Sequence, residues 1–341
     1  MSDAHISFDI FQSSAWFDLL LKHGFERKPY WVSHESTPPI VGGGLGCIPL
    51  MRLTPRSPIQ GVSNYYTPLF SPSSAAGGEK DQSAAIAWAK SVRDLPGSEV
   101  LMFQPLSQDD GCVQWLEVGL AACGYRTDRY FCFGSWYEKI AGRSFQSYWG
   151  QRPSRLRHTV ERAVRRLNQK HDWRAVVLAA RGEALNSAID AFQDVYARSW
   201  KSPEPCPEFV PGLMRMAADM GALRLGQLWL DGEVVASQVW LVSAGKASIY
   251  KLAYVPGHEK LSVGSVLTMT MMRHVIDCDR VSEVDYLMGD DVYKQEWMTS
   301  RRVRIGLIAF RLRRLRGFFA WVKHHAGWRL RKYVLRRAGG G

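Results

Sequence analysis

A mixed α/β fold, an α+β mixed sheet ending in a basic C-terminal helical tail, is predicted by three features of this 341-residue sequence. Leu223 to Leu230 and Glu233 to Val242 are two runs rich in apolar and β-branched residues. The Asp231-Gly232 pair between them is the dipeptide that most readily adopts the positive φ angles of a tight hairpin turn. A third run, Ala247 to Val255, stops at Pro256-Gly257, after which Ser262 to Cys278 places Val266, Met269, Thr270 and Arg273 at helical spacing. Val281 to Leu287 supplies one more strand, and the intervening helix makes parallel pairing with the third strand the natural outcome. The first half of the chain, read as strands, helix, strand, helix and strand, echoes this later series.

In chain order, the first 30 residues predict a short helix with Trp16, Phe17, Leu20 and Leu21 on one face. Tyr30 to Met51 reads as a hairpin whose turn falls in Ser33 to Pro39, with Gly42 to Gly46 in its second strand. Those glycines fit a strand better than a phosphate loop, because no helix follows them and Pro49 continues an extended run. Ser63 to Phe70 is aromatic and extended, Ser71 to Gly78 is a loop of small residues, and Glu79 to Arg93 is a helix. Ser98 to Pro105 is a strand, Asp110 to Cys123 a helix, and Tyr130 to Trp136 a strand. Ser144 to Lys170 predicts an amphipathic helix, its stripe of Leu156, Val160, Val164 and Leu167 flanked by Arg155, Arg157, His158, Arg162, Arg165, Arg166 and Lys170. That basic face is either solvated or a contact for phosphates. Asp172 to Ala179 is a strand, Glu183 to Trp200 a helix, and Lys201 to Pro207 a proline-rich loop.

The length accommodates two domains of ordinary size. The start of the chain has no basic segment leading into an apolar run, and no apolar stretch approaches the length of a membrane span, so a cytoplasmic protein is expected. Six cysteines (Cys47, Cys112, Cys123, Cys132, Cys206 and Cys278) lie without C-x-x-C spacing or neighbouring histidines, which argues against a zinc site or a disulfide framework. The net charge of +12 is local: 13 Lys or Arg and no acid follow residue 300, leaving 31 cations against 32 carboxylates before it. In that tail Leu315, Phe318, Phe319 and Val322 recur at helical spacing among arginines. Residues 311 to 337 are therefore read in three ways: as a helix packed on its own domain, a peripheral contact with an anionic membrane on its inner face, or a grip on RNA.

Chemistry is expected where the third strand gives way to the helix. A helix N-terminus leaves backbone N–H groups unpaired, which is how a protein binds phosphate oxygens without spending side chains on them. Ser262-Val263-Gly264-Ser265 lies at that junction with Lys260 just ahead; Ser262 is a candidate N-cap, and Gly264 would let a pyrophosphate approach the backbone. The pattern is neither a P-loop nor a G-x-G-x-x-G fingerprint.

The segment YKLAYVPGHEKLSVGSVL, followed by VDYLMGDDVYKQEW, resembles the C-terminal half of GNAT-fold acyltransferases of the BioF2-like or CelD-like group, relatives of the FemABX aminoacyl transferases. In that group a strand leads through a Ser-Pro-Gly loop into a helix, then a strand reading Asp-Phe-Gly and a Gly-Asp-x-x-Tyr-Lys-x-x-Trp segment. Here Ser262-Val263-Gly264 has Val for Pro, and Asp285-Tyr286-Leu287 has Leu for Gly. Gly289, Asp290, Tyr293, Lys294 and Trp297 match in full. The resemblance implies two GNAT-like units in tandem: a degenerate one over residues 1–143, a catalytic one over 144–300, and the basic tail over 301–341.

The resemblance also implies the activity, transfer of an acyl group from acyl-CoA, acetyl-CoA first among candidates, to an amine of a small molecule, amino sugar or surface-polymer precursor. Backbone amides from Val263 to Ser265, with Lys260 and Ser262 beside them, would hold the coenzyme A pyrophosphate, and no metal is implied. Asp285 and Asp290 are candidates for proton handling, Tyr293 for protonating the thiolate, and Lys294 for anchoring an acceptor anion or stabilising the oxyanion. Trp200, Gln238 and Tyr250 are candidates for the acceptor side. A Fem-like transferase using aminoacyl-tRNA, and a catalytically idle binding module in polysaccharide or lipid biosynthesis, stay open beside this reading.

Overall fold

The computed structural model describes residues 7–31, 48–70, 82–108, 111–179 and 181–338, without the side chains of residue 31 and residues 327–338. In chain order the elements are α1 (Ser14–His23), β1 (Tyr30–Trp31), β2 (Leu50–Arg52), β3 (Ile59–Gly61), α2 (Gln82–Arg93), β4 (Val100–Ser107), α3 (Gly111–Ala122), β5 (Arg126–Lys139), α4 (Phe145–Gly150), α5 (Ser154–Lys170) and β6 (Trp173–Leu178). Then follow α6 (Glu183–Arg198), α7 (Phe209–Asp219), β7 (Leu223–Leu230), β8 (Glu233–Ser243), β9 (Lys246–Tyr254), α8 (Val263–Arg273), β10 (Glu283–Asp285), α9 (Lys294–Trp297), β11 (Ser300–Phe310) and α10 (Leu315–Ala338). The expected turn at Ser33 to Pro39, the glycines Gly42 to Gly46 and the loop Ser71 to Gly78 lie outside the described residues.

Two units divide the chain: Met1–Glu26 with Phe133–Arg302, and Arg27–Cys132 with Val303–Gly341. These borders differ from those expected after residues 143 and 300. Residues 1–26 belong with the C-terminal half, and residues 300–310 form a strand, so the tail helix starts only at Leu315. The sequence signal is alternation: Arg302, Val303, Arg304 and Ile305 alternate cation and apolar residue, a strand pattern that the charge count conceals, and Arg304 to Phe310 are all buried.

In the first unit the strand order is β5, β10, β9, β8, β7, β6. The hairpin β7–β8 forms with Leu223 opposite Leu241, and its turn takes φ of 51° at Asp231 and 90° at Gly232. As the intervening helix dictates, β10 pairs with β9 in parallel, Val284 opposite Ala247. Every residue of β8 beyond Glu233 is buried, the mark of a strand covered on both faces. Leu156 and Val160 of α5 and Val266, Leu267 and Met271 of α8 pack with Trp240 in one cluster, while Val195 of α6 joins Val234 and Ala253 in another. At the N-terminus, Trp16 sets its ring edge-on to Phe209 at 5.7 Å, and Lys246 pairs with Asp9 at 2.6 Å.

The expected helix over Ser144 to Lys170 is split into α4 and α5. Pro153 supplies no N–H and pushes Arg152 out of the helical region, so the chain breaks between them. Helix α7 has no counterpart in the sequence expectations. Its FVPG start disguised it, yet Pro211 falls in the first turn, where no amide hydrogen bond is lost. Ser63 to Phe70, read as extended, forms no strand; β3 just before it pairs in parallel with β4.

The second unit orders its strands β1, β2, β3, β4, β11, with Phe310 opposite Val100 across the antiparallel β4–β11 pair. Trp321 and Ala320 of α10 pack against Val100, Ile308 and Phe310, and His324 Nε2 lies 2.9 Å from Asp128. Among its other described side chains, Leu315 is 78% exposed and Phe319 64%. Among the described residues no helix is long and apolar enough to cross a membrane.

Candidate active site

At the junction of β9 and α8, Ser262 occupies the cap position but does not act as the expected side-chain cap. Its backbone is left-handed, with φ 48° and ψ 37°, and its hydroxyl turns back to the Glu259 carbonyl at 3.5 Å. The first helical bond runs from the Val266 amide to the Ser262 carbonyl at 3.0 Å. Among the described residues no acceptor meets the N–H groups of Val263, Gly264 or Ser265. Three donors at the positive end of a helix dipole are thus left for a ligand. A Cβ at Gly264 would sit 3.2 Å from Tyr254 Cδ1, so the glycine also lets the helix start against that ring.

Tyr254 in turn meets Trp200 at a tilt of 47°, ring centroids 4.4 Å apart, and Trp200 is 55% exposed. Trp200 therefore stands beside the donor loop, with Tyr254, which sequence reasoning missed, between them. From α5, Arg166 Nη1 donates to the Lys260 carbonyl at 3.1 Å, bringing one cation of the basic helix to the turn ahead of α8. Lys260 itself is exposed.

Gln238 is buried and occupied. Its Nε2 donates to the Gly264 carbonyl at 3.1 Å and to Thr268 Oγ1 at 2.8 Å, and its Oε1 accepts from Trp240 Nε1. It positions the first turn of α8 and is not placed to bind an acceptor. Tyr250 packs its ring on Phe11 and Trp16, at 6.3 Å from each, and so serves the N-terminal packing. Tyr286 packs in one core cluster with Val266 and Leu267 of α8 and meets Tyr293 edge-on at 5.8 Å. A continuous chain of contacts thus joins the start of α8 to the loop after β10.

Within that loop the four catalytic candidates separate. Asp285 is fully buried; its Oδ1 accepts from Ser135 Oγ at 2.6 Å and from the Leu287 amide at 2.7 Å. It fixes a turn in which Leu287 has φ 56°, a left-handed conformation that glycine adopts without steric cost. It is a positioning carboxylate rather than the expected proton acceptor. Asp290 lies across Gly134, where a Cβ would come within 2.2 Å of Oδ1, and Arg301 grips it through two bonds of 2.8 and 2.6 Å. Arg301 holds this carboxyl below its ordinary range, making it a loop anchor and a weak base.

Lys294, expected to face an anion, is buried. It donates to the Met288 and Gly289 carbonyls at 2.5 and 3.3 Å and pairs with Asp291 at 3.0 Å, closing the loop from within. Tyr293 is 43% exposed, and burial of its hydroxyl together with the Asp291 charge pushes the phenol up, so it is a protonated donor at neutral pH. Among these four, Tyr293 alone is both exposed and protonated at neutral pH. The far end of the loop is latched by Tyr148 Oη and Arg152 Nη1, each 2.8 Å from the Trp297 carbonyl.

A strand that opens into an uncapped helix, with a parallel strand beyond it carrying a tyrosine loop, defines the class: a GNAT-fold acyltransferase architecture in a mixed α/β chain. Residues 154–295 match the Acetyltransf_6 family, described as "Acetyltransferase (GNAT) domain". The structure is similar to FemX, with 12% identity and a TM-score of 0.60, covering 90% of this chain and 93% of that one. It is also similar to the C-terminal domain (DUF2156) of a putative lysylphosphatidylglycerol synthetase from Agrobacterium fabrum, with 12% identity, TM-score 0.52, and coverage of 76% and 79%. L-PGS from Bacillus licheniformis gives 12% identity, TM-score 0.50, and coverage of 89% and 93%. At such identities the likeness is one of fold. No curated protein matches the sequence. The GNAT family implies acyl-CoA binding, and the three unfilled amides with Arg166 alongside fit its phosphates. Among the described residues no cluster of His, Cys, Asp or Glu could hold a metal ion.

Proposed function

We propose that this protein is an N-acyltransferase that moves an acyl group from acyl-CoA to an amine. The observation that carries the reading is the trio of amides at Val263, Gly264 and Ser265, left without protein acceptors within the segment that matches the GNAT domain family. The pyrophosphate binds those amides, with Arg166 and Lys260 beside them as the cations for its charge. The amine nitrogen forms a C–N bond to the thioester carbonyl carbon as the C–S bond breaks. The proton lost by nitrogen passes to water, and Tyr293 protonates the departing sulfur before being recharged from solvent.

Calorimetric titration with acetyl-CoA, longer acyl-CoAs and bulk tRNA tests this. One acyl-CoA should bind per chain, and Arg166→Glu should weaken it about tenfold, a loss of about 1.4 kcal/mol. Binding of tRNA alone would favour an aminoacyl transferase, and binding of none an idle module.

The tail carries a separate expectation. Leu315, Phe318, Phe319 and Val322 are exposed on α10 next to exposed Arg313, Arg314 and Lys323, a combination suited to an anionic membrane surface. The protein should sediment with vesicles containing phosphatidylglycerol and not with phosphatidylcholine alone. Phe318→Asp with Phe319→Asp should abolish sedimentation, whereas indifference to lipid charge would remove the membrane from the reading.

A further inference from the structure

Helix α5 holds more positive charge than a bound acyl-CoA consumes. Its stripe of Leu156, Val160, Ala163 and Leu167 is buried in the same cluster as α8, and this packing fixes which side faces solvent. On that side Arg155, Arg162, Arg165, Arg166 and Lys170 are exposed, and among the described residues none has a carboxylate within ion-pair distance. The one acid of the helix, Glu161, turns to His158 at 3.6 Å. Arg162 and Arg166, four residues apart, repel each other, and no acid of the helix offsets the repulsion.

The charge is also ordered. With 3.6 residues per turn, Arg155, Arg162 and Arg166 fall within about 40° of one line along the helix, a row about 17 Å long, and Glu161 lies about 120° around from it. One end of the row is tied to the donor loop: Arg166 Nη1 donates to the Lys260 carbonyl at 3.1 Å, three residues ahead of the first unfilled amide, Val263. The other end, Arg155, leads away along the surface.

Coenzyme A fits only the near end of this row. Beyond its pyrophosphate it has one further phosphate, so most of the row stays idle. Single-stranded RNA is held by cations interleaved with aromatic stacking platforms, and α5 contains no Phe, Tyr or Trp. A protein helix with a carboxylate on each turn presents anions in a straight line, the complement of a straight line of arginines. Such a partner reaches the α8 amides when it bears a phosphopantetheine arm, which brings a single phosphate and a thioester together.

We propose that the α5 row is the docking surface for a small acidic carrier protein, whose phosphopantetheine arm delivers the acyl thioester to the α8 amides. The proposal rests on the acyltransferase reading and names the donor within it. The arm's phosphate binds the amides of Val263 to Ser265, and the carrier's carboxylates meet Arg155, Arg162 and Arg166. The transfer keeps its balance: the amine nitrogen bonds to the thioester carbonyl carbon, the C–S bond breaks, and the nitrogen proton passes to water. The sulfur leaves on the carrier's arm, protonated by Tyr293.

Calorimetry on the full chain compares acetyl-CoA, bulk tRNA, and a purified acyl carrier protein in its acetylated form and in the apo form that lacks the arm. The acetylated carrier should bind at least tenfold more tightly than the apo form, and less tightly as salt is raised. Arg155→Glu with Arg162→Glu should weaken the carrier at least tenfold and leave acetyl-CoA affinity and the melting temperature unchanged, because both side chains are exposed. Arg155→Lys with Arg162→Lys should keep most of the carrier affinity. Undiminished carrier binding by the double glutamate variant would overturn the docking surface. Binding of acetyl-CoA without the carrier would overturn it too, while leaving the acyltransferase reading in place; binding of neither would sink both. Binding of tRNA that the double glutamate variant loses would assign the row to RNA instead.

Discussion

Ser265→Asp should stabilise the first unit against heat while lowering its affinity for acyl-CoA about a hundredfold. Ser265 is the third residue of α8, and the first turn of this helix contains no acid and no side-chain cap. A carboxylate there meets the positive end of the helix dipole and can accept from the idle amides, a gain of about 0.3–1 kcal/mol. The same carboxylate competes with an incoming phosphate. At ~5 Å and an effective dielectric of ~20, two like charges repel by about 3 kcal/mol, a factor of about a hundred in binding. Opposite signs of the two effects are the signature: melting followed by fluorescence should rise, and calorimetric affinity should fall. Ser265→Ala should leave both nearly as they were. If acyl-CoA binds Ser265→Asp as well as the parent, the phosphates lie elsewhere.

Glu138→Ala should cost about 3–5 kcal/mol, because it strands a buried cation. Glu138 is buried on β5 and accepts from the Thr299 amide at 2.9 Å, the Thr299 hydroxyl at 2.7 Å, and Arg143 Nη2 at 2.6 Å. Arg152, equally buried in the break between α4 and α5, pairs with it at 3.3 Å and faces the Tyr148 ring. Burial raises the Glu138 pKa, but bonds from Arg143 and Thr299 and the Arg152 charge outweigh it, and the net shift is downward. A depressed carboxyl stabilises the fold above its ordinary pKa near 4.5, and that contribution disappears as pH falls through the lower folded-state value. Urea melts from pH 7 down to pH 3 should show the parent and Glu138→Ala converging on acidification. A constant gap over that range would mean the charge contributes nothing.

The hairpin, the third strand, the α8 helix and its parallel successor were legible because each rests on local signals: Asp231-Gly232, alternation, and 3.6-residue spacing. Trp200 was legible only as a candidate for the acceptor side, and its contact with Tyr254 ahead of α8 was not. What was not legible is which polar groups the fold consumes. Asp285, Gln238 and Lys294 have the residue types of a catalytic set, but tertiary contacts with Ser135, Trp240 and the Met288 carbonyl occupy them. Arg301 was counted as tail charge, although its partner Asp290 lies only eleven positions earlier, because nothing in a sequence announces a bidentate grip.

The early residues of the chain have late partners. The Ile10 amide bonds to Ser243 Oγ, 233 positions on, and Asp9 pairs with Lys246, 237 positions on. At a ribosomal pace of about 5–20 residues per second, the aromatic N-terminal segment waits from about ten seconds to nearly a minute before its docking surface has been synthesised. Phe11 and Trp16, fully sequestered in the finished molecule, are open to solvent for that interval. A version permuted to run from residue 133 to 341 and then from 1 to 132 would make those rings only after their docking surface, and so remove the wait.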